Sequence, residues 1–168
     1  MKHIYLNLKR FEIPKKLGGV NQIAAPAEWA SKIYEEADCE LQQYRESDTD
    51  FTIYFPEAHL LPAIQRRKKE SIIRVGCQGV GMEDVEKGKN FGAFTSGRPA
   101  TSMTVIGCTD VIIGHCEERK EKRQILAEAG VNDESAITRL LNKEIHCAQN
   151  AGLKVLYCIG ESEEQRHC

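Results

Sequence analysis

The residues most able to do chemistry lie in one short run, Val111-Ile112-Ile113-Gly114-His115-Cys116-Glu117-Glu118-Arg119. Three apolar, mostly β-branched residues predict a buried strand. A glycine ends it and permits a tight backbone turn. A histidine follows at once, and then a charged run that opens a helix. The imidazole is thereby placed where a strand ends and a helix begins. Backbone N–H groups at a helix start carry partial positive charge, disfavour imidazolium and favour neutral imidazole. A neutral imidazole there can donate a hydrogen bond to a carbonyl or an enediolate. Standing alone, a strand-end histidine is more often structural than catalytic, so its meaning depends on its company.

The elements that must hold it are legible in the pattern. Short apolar runs at Ile4–Leu8, Phe51–Phe55, Ile72–Cys77, Val111–Gly114 and Val155–Ile159 predict strands. A helix opened by Pro26 carries Trp29, Ile33, Ala37 and Leu41 on one face. A second is expected over Leu60–Lys69, and a third from Arg98-Pro99 with Met103, Val105 and Ile106. A fourth is capped by Asn132 or Asp133, striped by Ile137, Leu140, Leu141, Ile145 and Ala148, and ended by Gly152. Strand–helix alternation at this spacing predicts a parallel sheet with right-handed crossovers, its strands buried on both faces. Asn7, Lys9 and His115 then share one property: each sits at the carboxyl end of a predicted strand, where such sheets build their sites. After the fifth strand, Ser162 and Gln165 form a capping-box pattern that announces a further helix.

Composition narrows the classes. The 168 residues suit one domain with a real core. A formal charge of −2 offers no field for nucleic acid or anionic membrane. The run Gln65-Arg66-Arg67-Lys68-Lys69 lacks interleaved aromatics and reads as the solvated face of a helix, as does the mixed-sign run Glu117–Arg123. No transmembrane or signal segment is expected, and the seven cysteines, an odd number without a C-x-x-C pair, suggest reduced thiols in a cytoplasm rather than zinc ligands or disulfides. Cys77, Cys108, Cys147 and Cys158 are expected to be buried, and Cys168 exposed.

Four stretches in order give the chain a resemblance to the triosephosphate isomerase family: Asn7-Leu8-Lys9; Gln78 with Gly92-Ala93-Phe94-Thr95; Ile113-Gly114-His115-Cys116-Glu117; and Tyr157-Cys158-Ile159-Gly160-Glu161. The resemblance runs through nearly all of residues 1–168. It implies a partial (β/α)8 barrel of about five βα units, in a fold of eight units and typically near 250 residues. It also implies the family reaction of glycolysis and gluconeogenesis, in which dihydroxyacetone phosphate and glyceraldehyde 3-phosphate interconvert by proton transfer through an enediolate. Lys9 would attract the anionic substrate and stabilise developing charge. Asn7 would orient substrate and lysine. His115 would be the neutral electrophile, a role for which this family is itself the standing example. Glu117 would bind a nearby cation such as Lys9, and Cys116 would stand where the family has serine. No cofactor and no metal are implied.

The departures are Leu8 for the family's tryptophan, Phe11 for an asparagine, Cys116 for serine, Glu118 for arginine, and Ser96-Gly97-Arg98 after the third loop. These put the family's standard dimer in doubt. The family's general base, closing loop and phosphate-holding amides follow strands six to eight, so the expectation is that the 168 residues by themselves do not turn over. Glu161 and Glu117 are carboxylates by type, but in the family's geometry both point away from the substrate proton. The readings left open are part of an isomerase, a non-catalytic oligomeric scaffold that pairs with itself or with a complementing barrel half, and a module that binds a phosphorylated triose.

Overall fold

In the computed structural model, residues 1–160 are described; Glu161, the Ser162–Gln165 capping pattern and Cys168 lie outside them. Five strands, β1 (Lys2–Asn7), β2 (Thr49–Phe55), β3 (Ile73–Cys77), β4 (Asp110–Ile113) and β5 (Lys154–Tyr157), form one sheet in chain order. Every pairing is parallel. The helices are α1 (Pro26–Leu41), α2 (Glu57–Gln65), α3 (Ala100–Ile106), α4 (Cys116–Glu128) and α5 (Glu134–Asn150).

Alternation along the strands separates two faces. Phe51, Ile53, Phe55, Ile73, Val75, Val111 and Ile113 join the core with Trp29, Tyr34, Leu60, Met103 and Leu141 of the helices. Trp29 meets Phe55 edge-on at 6.3 Å between ring centres. Tyr34 donates to the Ile73 carbonyl at 3.2 Å and so fastens α1 to β3. The opposite face is polar. There Arg74 bridges Asp50 at 2.9 Å and Asp110 at 3.0 Å, tying β2, β3 and β4 together near their amino ends. A carboxyl end and an amino end are thus chemically distinct, and the site lies at the former.

Burial on both faces holds only for the inner strands. On β1, Ile4, Tyr5 and Leu6 are 50%, 41% and 48% exposed. β1 and β5 are the outer strands of the described sheet, and each has a neighbour on one side alone. The second helix begins earlier and ends earlier than its apolar pattern predicts. Its last turn tightens, with Arg66 N–H donating to Ala63 and Arg67 N–H to Ile64, which is how helices close when they run out of i−4 partners. Arg66–Lys69 therefore lie in the connection to β3 rather than on a helix face. Val105 points outward at 79% exposure, although Met103 is buried. Cys77 and Cys108 are buried, Cys147 and Cys158 only half-buried; the latter pair flank outer elements where the core thins. The fourth predicted helix is α5: Asp133 caps it by accepting from Ser135 N–H at 2.9 Å, and Gly152, at φ +83°, follows its end.

Gly76 makes room for a neighbour. A methyl group at that position would overlap the ring of Tyr54, which lies across it from the adjacent strand. Tyr54 is fully buried, and burial pushes its phenol well above the usual range. Gly76→Ala is expected to destabilise the chain by about 1–3 kcal/mol through overpacking, read as a lower denaturation midpoint in urea with an unchanged slope.

Candidate active site at the carboxyl ends of the strands

Asn7 ends β1, and Lys9 follows in the left-handed region at φ +47°. A lysine rarely adopts that backbone, so local contacts must hold it there. Asn7 Oδ1 accepts from the Lys9 N–H at 3.1 Å and from Gln78 Nε2 at 3.0 Å. The same Gln78 nitrogen lies 3.2 Å from the Lys9 carbonyl and 3.3 Å from that of Tyr54. Gln78, just past β3, thus holds the turn that presents Lys9.

Across the sheet, Gly114 turns the chain at φ +79°. His115 becomes the N-cap of α4. Lys9 Nζ lies 2.8 Å from Glu117 Oε1, and Glu117 Oε2 lies 2.9 Å from His115 Nδ1. One carboxylate therefore spans an ammonium from β1's end and an imidazole from β4's end. The Lys9 hydrogen bond is the main cause that holds the Glu117 carboxyl below the usual range, and Glu117 raises Lys9 in return. His115 Nδ1 also lies 3.4 Å from the Glu117 backbone N–H. The carboxylate contact calls for a proton on Nδ1, the amide contact for its lone pair, and the shorter contact is the stronger. Nδ1 thus faces both the carboxylate and the backbone amide of Glu117, and the tautomer decides which of them it serves. For a neutral His115 to donate from its other nitrogen, as the sequence leads one to expect, Nδ1 must carry no proton and serve the amide.

Asn7, Lys9, Gln78, His115 and Glu117 line one cleft of about 660 Å3, together with Arg98 and Glu118. Arg98 was visible in the sequence only as a departure in the third loop; here its guanidinium lies over Gly79, leaving little room for a Cβ there. Gln78 likewise carried no site role in the sequence. Among the described residues one group of side chains could hold a metal ion: His115, Cys116 and Glu117 each offer an atom, all within 4.8 Å of one another. The set suits a borderline cation such as zinc. Lys9 already occupies the carboxylate, and the head of α4 adds positive potential, so both oppose a second cation.

Behind the cleft, Glu118 Oε2 accepts from the Gly114 N–H at 2.6 Å. Lys122 reaches Glu118 at 2.9 Å and Glu144 at 2.7 Å. Glu144 is 4% exposed. Burial, reinforced by the Glu118 carboxyl and opposed by Lys122, pushes its carboxyl up to about 7. Burial works against Glu118 too, but its neighbours Glu144 and Lys122 and the Gly114 amide outweigh it and hold its carboxyl below the usual range.

A curled parallel sheet wrapped by helices, with a cleft of polar side chains at the carboxyl ends of its strands, defines this chain as a portion of a (β/α)8-barrel protein. A family model for triosephosphate isomerase matches residues 27–168, so the chain belongs to that family. It is 33% identical over 121 residues to the triosephosphate isomerase of Acetivibrio thermocellus, a stretch covering 72% of this chain and 41% of that protein. It is 38% identical over 84 residues to that of Rhizobium etli, covering 50% of this chain and 32% of the other. The chain thus spans about two fifths or less of these relatives. A crystal structure of triosephosphate isomerase from Bartonella henselae shares the fold, with a TM-score of 0.63 at 22% identity, over 99% of this chain and 54% of that one.

The Glu144 carboxyl gives a pH signature. The folded protein holds its proton more tightly than an unfolded chain at the ordinary 4.5, so this group's contribution to stability is complete below that value and is lost as pH rises toward about 7. Glu118, shifted the other way, acts only below its ordinary value. The fall is read as a lower melting temperature at the higher pH. In thermal melts across this range, Glu144→Gln is expected to flatten the decline.

Proposed function

We propose that this chain supplies the cation and electrophile of a triosephosphate isomerase site. The substrate is a phosphorylated triose, dihydroxyacetone phosphate or glyceraldehyde 3-phosphate, and the reaction is proton transfer through an enediolate. The observation that carries this reading is the Lys9–Glu117–His115 array at 2.8 and 2.9 Å, drawn from the ends of two strands into one cleft. Lys9 attracts the phosphorylated anion and offsets negative charge as it develops. Asn7, fixed by Gln78, orients substrate and lysine. His115 polarises the carbonyl once its proton sits on the nitrogen facing the substrate oxygen.

Glu117 is held by Lys9 and His115, and its lowered carboxyl makes it a poor acceptor for a carbon-bound proton. Glu161 lies outside the described residues. The described cleft, whose Glu117 is engaged by both Lys9 and His115, is therefore read as a binding site without useful turnover. The test is an isomerase assay on protein purified from a host lacking its own enzyme, with Lys9→Ala alongside. No turnover in either protein is expected. Turnover that vanishes with Lys9→Ala would overturn the inactivity; turnover indifferent to it belongs to a contaminant.

A second reading, an oligomeric scaffold, is favoured by β1, whose Ile4 and Leu6 face outward at about half exposure. A second copy could cover that edge. Solution mass measured by light scattering is expected to exceed the monomer's; a clean monomer with one cooperative unfolding transition would remove this reading.

A further inference from the structure

Gly114 is the residue on which the direction of His115 turns. It adopts φ +79°, and glycine has more conformational freedom than any other residue. A catalytic imidazole cannot be aimed from a loose hinge. In this chain the hinge is gripped from both sides by consecutive residues of α4's first turn. Glu118 Oε2 accepts from the Gly114 N–H at 2.6 Å. Arg119 Nε donates to the Gly114 carbonyl at 2.6 Å, and Nη2 of the same guanidinium donates to the Cys158 carbonyl at 2.9 Å. Arg119 also lies over the Tyr157 ring, 5.1 Å from its centre. The arginine half of the grip is thus tied to β5.

The glutamate half is tied to α5. Lys122 lies between Glu118 and Glu144, at 2.9 and 2.7 Å. Glu144 Oε2 is buried and has no hydrogen-bond partner among the described residues. A second buried carboxylate is costly unless the geometry needs it. Here it fixes the ammonium that in turn fixes Glu118. The position carries a charge opposite to the arginine of the family pattern, so the grip belongs to this chain's own residues.

We propose that Glu118 is a positioning residue: its carboxylate locks the Gly114 amide and thereby aims His115 into the cleft, with Lys122 and Glu144 bracing it from α5. This rests on His115 being the electrophile of the proposed function, but the lock itself can be read without substrate. Two variants separate contact from charge. Glu118→Gln keeps an oxygen for the Gly114 N–H and loses the charge; Glu118→Ala loses both.

The experiment measures amide hydrogen exchange at Gly114 and the imidazole nitrogen shifts of His115 by NMR, in free protein and during titration with a phosphorylated enediolate mimic. Glu118→Ala is expected to speed Gly114 exchange at least tenfold and to move the His115 shifts in the free protein, with Glu118→Gln restoring most of both. The mimic should bind Glu118→Ala about tenfold more weakly. Unchanged Gly114 exchange and His115 shifts in Glu118→Ala would overturn the proposal, and so would a Glu118→Gln protein that behaves like Glu118→Ala. If the mimic fails to bind the unaltered protein, the proposed function fails while exchange and free-state shifts still decide the lock.

Discussion

The staggered parallel ladder is the constraint from which the site follows. Asn7, the last residue of β1, pairs with Tyr54, Tyr54 with Gly76, and Gly76 with Asp110, the first residue of β4. Because the strands run the same way, their carboxyl ends face the same side of the sheet, and residues just past those ends converge although far apart in sequence. Lys9 and Glu117 are 108 positions apart and meet at 2.8 Å. A shift of register by one residue would turn every side chain of that strand to the other face. The Arg74 bridge to Asp50 and Asp110 helps prevent this for β2, β3 and β4.

At those carboxyl ends, charge is arranged in two tiers. The front tier is exposed to the cleft: Lys9, Glu117 and His115, with Arg98 nearby. Its pairings are solvent-screened and contribute little to stability, so their value lies in orientation. The rear tier is shielded: Glu118, Lys122 and Glu144 lie between α4 and α5. Burial makes its interactions stronger and its imbalance more costly, as the raised Glu144 carboxyl shows. Gly114 joins the tiers, since its amide belongs to the rear one and the next residue, His115, to the front.

Much of this was legible from residue types. Glycine, histidine and a charged run after a β-branched triplet located both the β4–α4 corner and the helix start, because each residue there has a local physical reason. Asn132 or Asp133, and Gly152, marked the ends of α5 for the same reason, and the structure selects Asp133. The family resemblance drew Asn7, Lys9 and His115 toward one another. What stayed hidden depends on contacts between distant segments. Gln78, which the resemblance places with the third loop, shows its role only when oxygens of Asn7, Lys9 and Tyr54 gather around it. Glu118 read as one charge in a solvated run, and only the folded corner shows its carboxylate turned back to Gly114. The exposure of β1 was missed because an apolar strand reads the same at the middle of a sheet and at its edge.

The central claim is that Lys9 and His115 form one anion-binding unit. The most direct measurement is a titration with a phosphorylated enediolate mimic, following the Lys9 ammonium and the His115 imidazole together by NMR. The account predicts that both signals move saturably with one shared dissociation constant, and that Lys9→Ala weakens the response at His115 at least tenfold. A His115 signal that stays fixed while the mimic saturates, or that responds equally without Lys9, would contradict it.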